Sequence, residues 1–91
     1  MRDPLVVQFK KIREAHKKTQ SEIESCMKIP LDSYRHIERG RRPLPDFRTG
    51  LKQWVKDFVR CVEATDDERK QIHYLLSEQI VLQYSFLIED Q

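Results

Sequence analysis

Four arginines lie within eight consecutive positions of this 91-residue sequence and are the side chains best suited to binding a charged ligand. They are Arg35, Arg39, Arg41 and Arg42. A guanidinium group is always charged and can hold a phosphate through two parallel hydrogen bonds. The cluster therefore predicts contacts with nucleic-acid phosphates, the alternative for each arginine being an ordinary solvent-exposed charge.

The distribution of charge along the chain supports a polyanionic partner. Residues 1–60 contain 15 Lys and Arg against 8 Asp and Glu, a balance of +7, whereas residues 61–91 contain 2 against 7, a balance of −5. The two parts sum to the net charge of +2. A chain divided in this way has a basic surface that attracts a polyanion and an acidic end that avoids it.

The other reactive residue types form no catalytic or metal-binding pattern. His16, His36 and His73 are far apart, and none has the spacing to a cysteine that zinc ligands show. No local Ser/His/Asp or Cys/His motif and no glycine-rich phosphate loop is present. We therefore expect a protein that is not an enzyme and that uses no metal or cofactor.

The two cysteines and the chain ends indicate a cytoplasmic protein. Cys26 and Cys61 are isolated and fit reduced, core-type thiols, a disulfide between them being the less favoured alternative. The N-terminal residues include no apolar signal region. The longest uncharged run, Gln79 to Ile88, is too short to span a bilayer.

Apolar spacing and helix start signals predict an all-α fold of five helices. Asp3 and Pro4 begin the first helix, and Thr19-Gln20-Ser21-Glu22 and Thr65-Asp66-Asp67-Glu68 are capping boxes that begin the second and fifth. Gly40 ends the third helix. The predicted ranges of the first four are about 4–17, 19–27, 31–39 and 47–63. The fifth runs from 65 to about 80, after which alternating apolar residues also suit a short strand.

Two short helices joined by a tight turn, the second flanked by arginines, suit a reader of the DNA major groove. The segment from Thr19 to Gly40 resembles the Xre/Cro-repressor class of helix-turn-helix domains, and the resemblance covers residues 9–60. The residues that match the usual pattern of that class are Thr19, Gln20, Ile23, Met27, Ile29, Ile37, Glu38 and Gly40. The resemblance implies a DNA-binding unit at residues 1–63 and a C-terminal extension at residues 64–91, both within one globular unit.

The resemblance also implies roles for individual residues. Gln20 would touch phosphate and support the recognition helix, and Arg13 would pair with Glu38 to lock the first and third helices together. On the outward face of the third helix, Leu31 would meet a thymine methyl group. The implied DNA-binding set is Lys18, Thr19, Gln20, Leu31, Asp32, Ser33, Arg35, His36, Arg39, Arg41 and Arg42.

Four positions depart from the pattern of the class. Glu24 replaces a small residue in the second helix, and we expect it to swing outward with the helix pair slightly splayed. Lys28 replaces a glycine of the turn, where a left-handed conformation costs about 1 kcal/mol for a side chain. Lys17, with Lys18 after it, replaces the glycine and apolar residue that usually precede Thr19.

The apolar tail predicts a further contact surface. We expect a homodimer through Ile80, Leu82, Tyr84, Phe86 and Ile88, the alternative being that the tail covers the first and fourth helices of its own chain. Dimeric proteins of this kind read two half-sites about one turn of DNA apart. The expected function is that of a sequence-specific transcriptional regulator. The rival is a helix-turn-helix used for protein contact, as in an antitoxin or an inhibitor of a nucleic-acid enzyme.

Overall fold

The computed structural model describes residues 3–46 and 50–89 of the chain, and from residue 79 onward it describes the backbone alone. The described chain is all-α, as predicted. Its five helices are α1 (Pro4–Ala15), α2 (Gln20–Met27), α3 (Ser33–Glu38), α4 (Leu51–Val62) and α5 (Asp66–Glu89). Among the described residues, no helix combines the length and the apolar character needed to cross a membrane.

Capping hydrogen bonds confirm the predicted starts of α1, α2 and α5. Asp3 Oδ1 accepts a hydrogen bond from the Leu5 amide at 2.9 Å, and Pro4 occupies the first turn of α1. Thr19 Oγ1 accepts from the Glu22 amide at 3.0 Å, while Glu22 accepts in return from the Thr19 amide. The fifth helix begins with the same reciprocal pair between Thr65 and Glu68. Each box satisfies amides that a helix start leaves without an intrahelical partner.

Two predicted boundaries of helices were wrong. The first helix ends at Ala15 rather than at 17, and Lys17 follows it in the left-handed region with φ of 55°. The third begins at Ser33 rather than at 31, so that Leu31 and Asp32 precede it. The predicted start of the fourth helix, Phe47, lies outside the described residues.

The tail is helical, so the strand considered for its last apolar residues is wrong. Residues 66–89 form one continuous helix of 24 residues. Backbone hydrogen bonding within the helix overrides the period-two pattern of the side chains. The side chains of Ile80, Leu82, Tyr84, Phe86 and Ile88 lie outside the described part of the chain, and the dimer surface expected from them therefore stays a prediction.

The core is built around four aromatic rings from three helices. Phe9 of α1 contacts Phe58 and Trp54 of α4, with ring centroids 4.7 and 5.1 Å apart. Tyr34 of α3 stacks on the same two α4 rings at 6.0 and 6.2 Å. The four rings and the aliphatic residues around them are buried. Because Tyr34 lies in this core, α3 is held against α1 and α4 by its inner face and exposes its outer one.

A disulfide joins α2 to α4, and the expectation of reduced thiols was wrong. Cys26 and Cys61 are bonded, with their Cα atoms 5.8 Å apart, within the range that a disulfide requires. The two are separated by 35 residues, and only the packing of α2 on α4 brings them together. The Cys26 residue is exposed whereas Cys61 is buried, so that one end of the bond faces solvent.

Two polar contacts help dock the first half of α5 on α1. His16 Nε2 lies 2.8 Å from Glu68 Oε1, and Gln8 Nε2 donates to Gln71 Oε1 at 2.7 Å. Ile72, which is 2% exposed, supplies the apolar part of this side of α5. α5 is thus anchored by its N-terminal part to the core formed by the other helices.

Candidate nucleic-acid interface

α2 and α3 are joined by residues 28–32, and the geometry of this turn depends on two non-glycine residues in the left-handed region. Lys28, at the end of α2, has φ of 58°, as its position in the turn predicts. Asp32, just before α3, has φ of 69°. Left-handed backbone is tolerated by lysine and aspartate at a cost of about 1 kcal/mol each. Packing of the helices on both sides therefore holds the turn in place.

Glu24 fixes the start of α3, and the expectation that it swings outward was wrong. Its side chain is buried, with the residue 4% exposed, and Oε2 accepts hydrogen bonds from the amides of Tyr34 at 3.0 Å and Arg35 at 3.4 Å. A carboxylate at this place satisfies two unpartnered helix amides and interacts favourably with the helix dipole. Asp32, the residue at the capping position, makes no side-chain cap. Glu24 of α2 supplies it instead.

A second buried carboxylate fixes the end of α3. Glu38, 4% exposed, accepts from Arg13 Nε at 3.0 Å through Oε1 and from Gln20 Nε2 at 2.6 Å through Oε2. Arg13 also donates through Nη1 to the carbonyl oxygen of Lys18 at 2.8 Å. The contact predicted between Arg13 and Glu38 is therefore present, and Gln20 makes the predicted contact with α3. One network ties α1, the start of α2 and the end of α3 together.

The ionisation of this network follows from its burial. Burial opposes the charge of Arg13, but the hydrogen bond and the charge of Glu38 outweigh it and raise the pKa of Arg13. The pKa of the neighbouring Tyr34 is raised well above its ordinary value, mainly by burial and further by the charge of Glu38. The Tyr34 hydroxyl consequently stays protonated, and Arg13 stays positively charged at physiological pH.

Three residues expected on the outward face of the third helix have other surroundings. Ser33 is buried, 6% exposed, and its hydroxyl donates to the Pro30 carbonyl oxygen at 2.6 Å, so its expected role in base contact was wrong. Leu31 and Asp32 lie in the turn rather than on the helix. Leu31 nevertheless is the most exposed large apolar residue described, at 79%. Asp32 forms an ion pair with Arg35.

The surface that remains open around α3 is cationic. Arg39, Arg41 and Arg42 are exposed, and His36 is half-buried. Gly40 ends α3 as predicted and has φ of 75°. It turns the chain so that the Arg41 amide donates a hydrogen bond to the His36 carbonyl oxygen at 2.9 Å. The glycine therefore keeps both following arginines close to the end of α3.

A cleft beside the start of α2 extends this cationic surface. Its lining residues are Lys10, Arg13, Lys18, Thr19, Gln20, Glu38 and Arg39. Since Arg13 and Glu38 neutralise one another, three cations remain. The sequence pattern predicted Lys18, Thr19, Gln20 and Arg39 as site residues but missed Lys10. The available signal was its position three residues before Arg13, which places both side chains on neighbouring positions of one helix surface.

The described side chains form no group of three or more His, Cys, Asp or Glu that could hold a metal ion. No protein-family model, no curated protein and no solved structure matches this chain. The resemblance to the Xre/Cro-repressor class therefore remains an expectation from the residues of the Thr19–Gly40 segment.

Proposed function

We propose that this protein is a sequence-specific DNA-binding transcriptional regulator of the Xre/Cro-like helix-turn-helix kind. α3 and the turn before it enter the major groove, with Leu31 and His36 available to base edges. Arg39, Arg41 and Arg42 bind phosphates on one side, and Lys10, Lys18 and the start of α2 bind phosphates on the other.

The observation that carries this proposal is a difference between the acidic and the basic side chains of the α2–α3 region. Its acidic side chains are engaged within the protein: Glu22 caps α2, Glu24 caps α3, Glu38 binds Arg13, and Asp32 binds Arg35. By contrast, no ion pair formed by the described residues uses Arg39, Arg41 or Arg42. The acidic side chains of this region thus have partners within the protein, whereas three exposed arginines form no such ion pair and can contact a polyanion.

The test is the salt dependence of duplex binding, measured by fluorescence anisotropy with a random duplex. The logarithm of the wild-type binding constant should fall linearly with the logarithm of the salt concentration. Arg41→Ala or Arg42→Ala should make the slope of this line shallower by about 0.9 per lost phosphate contact. Arg60→Ala is the matched control, because Arg60 is exposed on α4 and pairs with Asp57. Affinity that does not change between low and moderate salt would contradict the proposal.

Selection of bound sequences from a random duplex pool then tests specificity. A pseudo-palindromic consensus would support a dimeric regulator, and we propose that a second copy of this chain and double-stranded DNA are its partners. A pool that returns no consensus, although binding is salt-dependent, would restrict the function to non-specific DNA binding.

The exposed Leu31 favours one second candidate, a protein-binding role as an antitoxin or an inhibitor of a nucleic-acid enzyme. An apolar side chain that is 79% exposed also suits the centre of a protein interface. A stable complex with another protein, formed by a chain with no duplex affinity, would favour this candidate. Leu31→Ala should then weaken that complex.

A further inference from the structure

An apolar groove runs between α4 and the first half of α5, and none of its lining residues belongs to the arginine cluster. Its volume is about 480 Å³. Its aliphatic lining consists of Leu51, Val55 and Val59 from α4 and Ile72 and Leu76 from α5. Val59 and Leu76 are only partly buried, so the groove leaves apolar surface in contact with water. Covering such a surface is favourable in proportion to its area.

The rim of the groove is basic and therefore favours an occupant with negative charge. Lys52 and Lys56 project from α4, and Arg69 and His73 from α5, and all four residues are exposed. No carboxylate is among the described residues that line the groove. An occupant must therefore combine an apolar surface with negative charge.

The C-terminal part of the same sequence has this composition. Residues 80–88 read IVLQYSFLI, with seven apolar residues of nine, and Glu89 and Asp90 follow directly. Glu78 precedes the segment. No Lys or Arg occurs after Lys70. An apolar segment with acidic ends is complementary to an apolar groove with a basic rim.

A chain cannot place this segment in its own groove, because α5 is one continuous helix from Asp66 to Glu89. Residues 69–77 of that helix form one wall of the groove. With a rise of 1.5 Å per residue, the helix carries Glu89 roughly 18 Å along its axis beyond Ser77. The segment that fits the groove must come from a second copy.

We propose that two copies associate by reciprocal exchange, the C-terminal half of each α5 lying in the α4–α5 groove of the other copy. The arrangement is isologous, with the two α5 helices antiparallel about a two-fold axis. If the axis passes at residue 79, Glu89 of one copy is level with Arg69 of the other, since both positions are ten residues from 79. Each groove then receives the apolar stretch 80–88, and each basic rim receives an acidic end.

The proposal is tested on the full chain without DNA, by sedimentation equilibrium at micromolar concentrations. Wild type should sediment at twice its 11.0 kDa chain mass. Arg69→Glu should raise the dimer Kd at least about tenfold, because Glu89 of the other copy is then level with a like charge. Adding Glu89→Lys to that variant should restore the wild-type Kd.

Lys11→Glu is the matched control, because Lys11 is exposed and does not line the groove. Its dimer Kd should equal that of wild type, and circular dichroism melting should show every variant folded. A wild-type monomer would overturn the proposal and leave the groove to a different occupant. A dimer whose Kd is unchanged by Arg69→Glu, or is not restored by the added Glu89→Lys, would overturn it too. Since no DNA is present and the arginine cluster is intact, these outcomes are independent of duplex binding.

Discussion

The carboxylate of Glu24 on α2 accepts a hydrogen bond from the backbone amide of Tyr34 on α3, with 3.0 Å between Oε2 and the nitrogen. The two residues are both buried. This bond sets the crossing of the two helices from one end, while Glu38 sets it from the other through Arg13 and Gln20. The outer surface of α3 is therefore positioned by two acidic residues that themselves face inward.

Glu24→Ala should lower the free energy of unfolding by about 1–3 kcal/mol, because it leaves two helix amides without an acceptor. Glu24→Gln should lower it less, since an amide oxygen still accepts but carries no charge. Urea denaturation measures both. Glu14→Ala on the exposed side of α1 is the control and should change the value by less than about 0.5 kcal/mol. Equal changes in the free energy of unfolding for Glu24→Ala and Glu14→Ala would mean that Glu24 does not cap α3.

Removing either partner of the Arg13–Glu38 pair should cost about 2–4 kcal/mol, because the other is left with an uncompensated charge in a poorly hydrated place. The side chains are only 12% and 3% exposed. A double-mutant cycle with Arg13→Met and Glu38→Gln measures their coupling. The exposed pair Arg60–Asp57, with 3.4 Å between nitrogen and oxygen, is the internal control and should give under about 1 kcal/mol. Coupling no larger than in that control would reduce Arg13 and Glu38 to ordinary surface charges.

Reduction of the Cys26–Cys61 disulfide should destabilise the protein by roughly 3–4 kcal/mol, as expected for a loop closed over 35 residues of separation. Thermal melting with and without reductant shows the loss as a lowered Tm. The Cys26→Ser/Cys61→Ser variant should melt at the lower Tm in both conditions. If alkylation under native conditions labels two thiols in the protein as purified and reductant leaves Tm unchanged, the bond is not part of the native state.

Acid should weaken the docking of α5 through Glu68. Burial opposes ionisation of this carboxyl, but the Thr65 amide and then His16 outweigh it and lower its pKa below the usual value. A lowered pKa in the folded state means that ionised Glu68 stabilises the fold above about pH 4.3, and that this stabilisation is lost as the pH falls further. Unfolding free energies from pH 7 to 3 should therefore decline more steeply for wild type than for Glu68→Gln. Parallel declines would exclude this contribution.

The sequence by itself determined the five helices, because the signals involved are local. A capping box acts over three residues, Gly40 reaches the left-handed region through its own lack of a side chain, and apolar spacing marks one face of a helix. The contact between Arg13 and Glu38 could also be predicted, through the pattern of residues that the Thr19–Gly40 segment shares with a known class.

Only the tertiary structure decided where Glu24, Ser33 and the two cysteines lie. Glu24 faces inward because its carboxylate accepts hydrogen bonds from amides at the start of α3. The first of these amides belongs to Tyr34, which lies ten residues later in the chain. Ser33 is buried because α3 begins two residues later than its apolar pattern suggests, after the left-handed Asp32. Cys26 meets Cys61 because α2 packs on α4. The positions of Glu24 and of the two cysteines depend on contacts between segments distant in sequence, and the energy of such a contact is absent from any local pattern of residues.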